Sequence, residues 1–166
     1  MPRIVIALGS NLNHPAQQVR RAAAALRQPF PSLCLSPLVS SAPMYVADQP
    51  AFVNAVAIAE TDLAPQEVFG VLKTAEHYLG RTETFRNGPR QIDLDLILYG
   101  CLRYRTEFSD GSDLIVPHPR VAERLFVMQP WLSLDPAANL PGGISVLALH
   151  DALGEPPLAE VDHAGI

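Results

Sequence analysis

At 166 residues and 48% hydrophobic content, the chain is long enough to form one globular domain that buries about 70% of its unfolded surface. A net charge of -5 without any run of Lys and Arg argues against nucleic acid as a partner. No apolar run approaches the roughly 20 residues that cross a bilayer, so no membrane partner is expected either. We therefore expect residues 1–166 to form a single soluble domain.

The two cysteines and the start of the chain bear on its location. Cys34 and Cys101 lack the spacing of a metal site, and residues 1–3 lead directly into a short apolar run rather than into a signal peptide. These features favour a cytoplasmic protein with reduced thiols. We expect both cysteine side chains to be buried packing residues.

Apolar periodicity predicts the element order β-α-β-β-α-β over the first part of the chain. The predicted elements are a strand over residues 3–8, a helix over 15–27, strands over 33–40 and 52–60, a helix from Pro65 to a stop at Gly80, and a strand that contains Asp93. This order is the ferredoxin-like plan, an α/β fold of the α+β type in which two helices pack on one face of an antiparallel sheet. A hairpin, a helix over 121–132 and a short helix over 146–153 are expected to follow as a C-terminal extension, and the tail from about residue 155 is expected to be loosely held.

Two aspartates one residue apart, Asp93 and Asp95, stand in the last of these strands. Side chains alternate along a strand, so both carboxylates share one face, and their Cα atoms lie roughly 7 Å apart. The residues between and around them are expected to enter the core: Ile92, Leu94, Leu96 and Leu98. Magnesium is commonly held by one or two protein carboxylates together with waters and substrate phosphates. The spacing alone leaves two alternatives open, a metal site and a strand with a solvated outer face.

Arginines cluster on both sides of the aspartates. Arg81 and Arg90 precede them, and Arg124 follows a turn in which His118 stands between two prolines. A metal site beside arginines suits phosphoryl transfer, because catalysis there consists mainly of positioning and neutralising oxygens. The chain contains no P-loop motif, which argues against a P-loop nucleotide enzyme.

Several nearby residues have an ordinary structural interpretation as well as a functional one. Lys73 and Glu76 either face the cleft or form an i,i+3 pair on a wet helix face, and the residues alone favour the pair. His118 in a proline-rich turn is by itself more typical of a structural residue. Phe52 is by itself more typical of a core residue, although an aromatic ring and the carboxamide of Asn54 beside a loop suit a flat heterocycle.

Five motifs follow one another over roughly residues 4–141. They are residues 7–12, residues 48–56, Glu76 with Gly80-Arg81, Gly88-Pro89-Arg90-Gln91-Ile92-Asp93-Leu94-Asp95, and Val116-Pro117-His118-Pro119-Arg120 followed by residues 123–126. Taken together they resemble the family of 6-hydroxymethyl-7,8-dihydropterin pyrophosphokinases, small enzymes of folate biosynthesis. The combination of the fourth and fifth motifs is highly specific.

The resemblance implies that the protein transfers pyrophosphate from ATP to the hydroxymethyl group of 6-hydroxymethyl-7,8-dihydropterin and releases AMP. It implies two magnesium ions held by Asp93 and Asp95, with Asp95 also placed to help deprotonate the attacking hydroxyl. Asp95, Arg81 and Arg90 are the catalytic residues that it implies. ATP and the pterin are the expected partners, and a monomer is expected.

The resemblance also assigns the two substrate sites. The pterin site would be formed by Ser41, Met44, Phe52, Asn54 and Phe126. The ATP site would be formed by Lys73, Glu76, Arg81, Arg90, Leu96, His118 and Arg124. The chain departs from the family pattern at Glu83 and Asn87, where many relatives carry arginine and tryptophan. A weakened enzyme, or a non-catalytic ferredoxin-like binding module, is the alternative.

Overall fold

A five-stranded antiparallel sheet forms the centre of the fold in the computed structural model, which describes residues 1–44, 48–80 and 91–161. The short strands β2 and β3 pair with β4, β4 pairs with β1, and β1 pairs with β5, all antiparallel. The strand bounds are β1 Arg3–Ser10, β2 Cys34–Leu35, β3 Val39–Ser41, β4 Phe52–Glu60 and β5 Asp93–Tyr99. This arrangement confirms the predicted ferredoxin-like plan.

Two helices cover one face of the sheet, as predicted. They are α1 (Pro15–Leu26) and α2 (Pro65–Tyr78), and each begins with a proline. The N–H at the first position of a helix has no intrahelical acceptor, so proline loses no hydrogen bond there. Residues at helical spacing form the buried stripes, for example Val19 of α1 and Leu72 of α2. With the alternate residues of the strands, these stripes form the first hydrophobic core.

The rest of the chain divides between the two cores. Strands β6 (Tyr104–Glu107) and β7 (Asp113–Val116) form a hairpin whose Leu114 and Val116 pack into the first core. Helices α3 (Leu125–Leu134) and α4 (Val146–Leu153), with the short strands β8 (Asn139–Leu140) and β9 (Ile144–Ser145), cover the opposite face. A second core on this face surrounds Trp131 and includes Val5, Val56 and Ile97 of the sheet. None of the helices in the described part of the chain is long and apolar enough to cross a membrane.

The predicted strand over residues 33–40 is instead two short strands. Pro37 separates β2 from β3 and has no N–H to give to a sheet ladder. Just before it, the Ser36 N–H donates to the Val56 carbonyl (2.9 Å), and the Ser36 hydroxyl accepts from the Val56 N–H (2.9 Å). The serine side chain therefore satisfies the backbone of β4 where the ladder is interrupted.

The predicted helix over residues 121–132 is broken at Arg124. A 3-10 turn spans Val121–Glu123, and α3 starts only after it. Arg124 between them has φ -114° and ψ 88°, which is extended backbone rather than helical. The break directs its side chain toward the aspartates of β5 instead of along a helix surface.

The predicted alternation along β5 holds as far as Leu96 and fails at Leu98, which lies in the second core. Its register against β1 shifts there, because Val5 pairs with Leu98 whereas Ile6 pairs with Leu96. Ile97 is the extra residue of a β-bulge. An extra residue reverses the faces of the side chains that follow it.

Both cysteine side chains are exposed, so the prediction that they are buried is wrong. Cys34 lies on the short outer strand β2, and Cys101 lies in the turn that follows β5. Neither position is covered by the packed helices, because both are at the margin of the sheet.

Candidate active site

A cavity of about 290 Å³ opens on the sheet face that α3 covers, where β1 ends and β4 and β5 begin. Further along the same face the strands fill the second core with Val56 and Ile97. At this end they carry Asn54, Asp93 and Asp95 instead. The cavity therefore lies where apolar side chains no longer fill the α3 face of the sheet.

Small residues of the central strand β1 form the floor of the cavity. Gly9 pairs with Asn54 on one side and with Asp93 on the other, and Ala7 pairs with Asp95. A Cβ atom on Gly9 would stand 2.9 Å from Asn54 Oδ1, closer than such atoms approach. The glycine therefore makes room for the Asn54 side chain to lie across the sheet.

The five residues predicted for the pterin site all line this cavity: Ser41, Met44, Phe52, Asn54 and Phe126. Phe52 and Asn54 come from β4, and Phe126 comes from the first turn of α3, which faces them. The Asn54 side-chain amide is buried and donates to the Ser41 hydroxyl (2.7 Å). Its orientation is therefore fixed by the neighbouring strand, which leaves its carbonyl side for another contact.

Asp93 and Asp95 line the cavity together, as the strand pattern predicted. The guanidinium of Arg124 approaches the Asp95 carboxylate at 4.0 Å. Burial and the charge of Asp93 together raise the pKa of Asp95 to about 7, against the opposing effects of Lys73 and Arg124. Lys73 and Arg124 thus compensate the charge of Asp95 only in part.

A second cavity of about 280 Å³ adjoins the first at Lys73, Asp95 and His118, which line both. Leu96, predicted for the ATP site, lines the second cavity, as does the ring of Phe69. The site therefore has two compartments, with Asp95 at their junction and Asp93 beside it in the first.

Glu76 differs from its predicted surroundings. Its side chain is buried, accepts from Lys73 Nζ (3.0 Å) and accepts from the Leu94 N–H (2.8 Å). The interpretation as a wet surface pair is therefore wrong for Glu76, and among the described residues it is not one that lines either cavity. It joins α2 to β5 at the residue between the two aspartates and holds the Lys73 amine beside them.

His118 is held by its own turn. Its N–H donates to the Ile97 carbonyl (2.8 Å), and its Nδ1 accepts from the Arg120 N–H (3.1 Å). Burial and the nearby charges of Arg124 and Arg120 together lower the pKa of His118 to about 4. The ring is therefore neutral at pH 7, and because Nδ1 accepts, its proton is on Nε2.

Arg81 and Arg90, predicted as catalytic residues, lie outside the described residues, as do Glu83 and Asn87. Gln91, at the edge of that segment, is described. With its amide oriented to satisfy its neighbours, its nitrogen donates to the carbonyls of Leu79 (3.2 Å) and Gly80 (3.0 Å), and its oxygen accepts from Asn13 (3.0 Å).

Sequence reasoning did not name two polar residues at the cavity. Gln49 lines it, and the buried Asn11 donates to Gln49 Oε1 (2.9 Å) and to the Pro50 carbonyl (3.1 Å). Asn11 thereby ties the turn after β1 to the loop before β4. Asn11 belongs to the motif at residues 7–12 and Gln49 to the motif at residues 48–56, and this membership was the signal that could have identified them. Their mutual hydrogen bond produces no periodic pattern in the sequence.

The donor set fits magnesium rather than a metal held by protein alone. Within residues 1–44, 48–80 and 91–161, no group of three or more His, Cys, Asp or Glu side chains is placed to hold a metal. Two carboxylates that repel each other, as the raised pKa of Asp95 indicates, suit a hard cation that completes its shell with waters and phosphate oxygens.

The fold and the site define a ferredoxin-like α+β protein with a two-compartment cleft that has Asp95 at the junction. A family model described as 7,8-dihydro-6-hydroxymethylpterin-pyrophosphokinase (HPPK) matches residues 5–136. The chain belongs to this family.

Curated relatives of similar length carry the same name. The chain is 41% identical to the 2-amino-4-hydroxy-6-hydroxymethyldihydropteridine pyrophosphokinase of Pseudomonas aeruginosa, over 85% of each chain. It is 37% identical to the protein of that name from Haemophilus influenzae, over 82% of this chain and 83% of the relative.

Other relatives are longer. The chain is 40% identical to the mitochondrial folate synthesis bifunctional protein of Pisum sativum over 79% of its own length, which is 25% of the pea protein. It therefore spans about a quarter of that relative. The wild-type HPPK-DHPS of Plasmodium falciparum shares the fold with a TM-score of 0.71 at 13% identity, over 92% of this chain and 43% of that chain.

Proposed function

We propose that this protein transfers a pyrophosphoryl group from ATP to 6-hydroxymethyl-7,8-dihydropterin, giving the pterin diphosphate and AMP in folate synthesis. Membership of the pyrophosphokinase family supports the reaction, and the relatives from Pseudomonas aeruginosa and Haemophilus influenzae carry that activity in their names. The observation that carries the proposal is the position of Asp95 at the junction of two cavities, with Asp93 beside it in the first. Two substrates bound in adjoining compartments would bring their reacting atoms together there.

The first compartment takes the pterin in this proposal. Phe52 on β4 and Phe126 on α3 offer two aromatic faces to a flat ring, and Asn54 offers a carboxamide whose nitrogen already donates to Ser41. The remaining carbonyl of Asn54 then accepts from the amino edge of the pterin. Met44, which is exposed at the mouth of the cavity, covers the ring from outside.

The second compartment takes ATP in this proposal. Leu96 and Phe69 offer apolar surface to the base, whereas Lys73, His118 and Arg124 offer donors to the phosphates. His118 does so as a neutral ring with its proton on Nε2, so it donates a hydrogen bond without adding charge. Glu76 acts by holding Lys73, and Arg81 and Arg90 are proposed as further phosphate ligands from the resemblance.

In the reaction, the pterin hydroxymethyl oxygen attacks the β-phosphorus of ATP. The bond from that phosphorus to the oxygen bridging the α-phosphorus breaks, AMP leaves, and Asp95 is placed to help remove the hydroxyl proton. Asp93 and Asp95 would hold two magnesium ions, which supply neutralisation of the phosphate oxygens. The protein's own contribution is alignment of the two substrates and exclusion of water from the junction.

AMP formation from ATP tests the proposal, measured with and without the pterin and with and without magnesium. AMP release that depends on both supports it. A folded protein that binds either substrate and releases no AMP would contradict it and would favour the non-catalytic binding module. The predictions of a monomer and of a cytoplasmic location remain predictions.

A further inference from the structure

The chain after α4 returns to the active-site side of the sheet. Gln129 of α3 holds it by a pair of hydrogen bonds to one residue: its Nε2 donates to the Leu158 carbonyl (3.0 Å), and its Oε1 accepts from the Leu158 N–H (2.8 Å). A carboxamide that uses its donor and its acceptor on the same residue fixes that residue in position and in direction. We call this pair of hydrogen bonds the Gln129 clasp.

The next residues lie along the outer edge of β3. The Ser40 N–H donates to the Ala159 carbonyl (2.9 Å), and the Val161 N–H donates to the Leu38 carbonyl (2.9 Å). Between them, Glu160 forms an antiparallel bridge with Val39. Residues 158–161, which belong to the tail expected to be loosely held, thus extend the sheet by one short segment.

These contacts join the two sides of the proposed pterin compartment. Gln129 stands one helical turn after Phe126 on α3, and Ser40 immediately precedes Ser41, which orients Asn54. β3 has only three residues and lies at the edge of the sheet, where short strands open readily. Without the tail, its outer edge would have none of these hydrogen bonds.

We propose that Gln129 is a positioning residue for the pterin, and that residues 158–161 act as a spacer that sets the distance between the α3 and β3 walls. This inference rests on the proposed function. Neither Gln129 nor residues 158–161 line the two cavities, so the effect passes through Phe126 and Ser41. A loss of alignment at this distance raises the pterin KM without changing the second cavity, whose lining comes from α2, β5, residues 112–115 at β7 and the His118 turn.

Substitution Gln129→Leu tests the clasp, since leucine keeps the bulk and removes both hydrogen bonds. We expect the KM for the pterin to rise about tenfold, as the loss of two ordinary hydrogen bonds allows, and the KM for ATP to stay within about twofold. The matched control is Gln17→Leu on the exposed surface of α1, which should change neither KM. Gln129→Glu keeps the acceptor and should fall between the parent and Gln129→Leu.

A pair of truncations tests the spacer independently. A chain that ends at Pro157 lacks the segment, whereas a chain that ends at Val161 keeps it. We expect hydrogen exchange at the amides of residues 39–44 to be about tenfold faster in the shorter chain than in the longer one. The same acceleration is expected in Gln129→Leu.

The two readouts separate the possible failures. The positioning role would be overturned if the pterin KM stayed within twofold of the parent value in both Gln129→Leu and the chain that ends at Pro157. It would also be overturned if the two KM values rose equally, even if the melting temperature fell. A parent protein that makes no AMP would overturn the proposed function, and the exchange rates, measured without substrate, would still decide for or against the spacer.

Discussion

The two faces of the central sheet are built from the same three long strands and have opposite purposes. On the α1 and α2 face, residues such as Ile6, Leu8 and Leu94 fill the first core from one end of the strands to the other. On the α3 face, the filling by Val56 and Ile97 ends midway, and small or charged residues follow. One sheet can thus provide rigidity on one face and chemistry on the other, because alternate residues of a strand are independent in sequence.

The largest effect should follow from a change on the reactive face that leaves the packed face untouched. Asp95→Ala removes a proposed metal ligand and base, and we expect turnover to fall by about a thousandfold or more. The melting temperature should stay close to that of the parent, since this carboxylate is held at a raised pKa and its removal relieves repulsion with Asp93. AMP release and thermal unfolding measure the two quantities.

Asp62→Ala is the matched control, because Asp62 is exposed and is not among the residues that line the two cavities. It should leave turnover unchanged. Full activity in Asp95→Ala would refute the role assigned to this aspartate.

A change on the packed face should have the reverse outcome. Leu72→Ala leaves a cavity in the first core, where Leu72 is fully buried, and should lower the free energy of unfolding by about 2–5 kcal/mol. Among molecules that remain folded, both KM values should be close to those of the parent. Denaturant unfolding and steady-state kinetics provide the test; a selective rise in one KM would mean that the two faces are not independent.

Gly9→Ala probes the floor between the faces. The new methyl group would meet Asn54 Oδ1 at 2.9 Å and displace the carboxamide, so we expect the pterin KM to rise about tenfold with little change for ATP. Gly70→Ala on α2 is the control, since nothing lies within 4 Å of a Cβ there. An unchanged pterin KM in Gly9→Ala would show that Asn54 does not contact the substrate.

The smallest effect concerns pH and stability. The pKa of His118 is about 4 in the fold, below its ordinary value of 6.5, so between these values the unfolded chain binds the extra proton. The contribution of His118 to stability should therefore fall as the pH falls from 6.5 toward 4, by about 1 kcal/mol at pH 5.5, whereas the raised pKa of Asp95 acts in the opposite direction. His118→Asn, whose side-chain oxygen can replace Nδ1 as an acceptor from Arg120, should remove this part of the dependence. Unfolding measured at pH 7.5 and pH 5.5 in both proteins gives the comparison.

The periodic elements and the membership of the site could be predicted from the sequence, whereas several decisive contacts could not. α1 and α2 were predictable because their buried stripes repeat at helical spacing, and the motifs included residues as distant as Asn54 and Phe126, which line one cavity. The burial of Glu76 was not predictable, because its partner is a backbone N–H 18 residues away and its spacing from Lys73 is typical of exposed helices.

The same limit explains the other differences. The bulge at Ile97 and the extended backbone at Arg124 depend on the strands and helices packed around them, and neither changes the local pattern of apolar residues. The Gln129 clasp joins a side chain to the backbone 29 residues later, which no local propensity encodes. Contacts of this kind are made by tertiary structure and have no signature of period 2 or 3.6.

The hydrogen bond from the Leu94 N–H to Glu76 has a consequence for how this protein can vary. It fixes the backbone between the two aspartates from the opposite face of the sheet, through a carboxylate that belongs to α2. The surrounding loops can therefore accept insertions or changes of charge while the separation of the carboxylates stays constant. Differences in rate between homologues of this protein should then originate in the loops, and a different separation of the two carboxylates should require a change in α2 or β5.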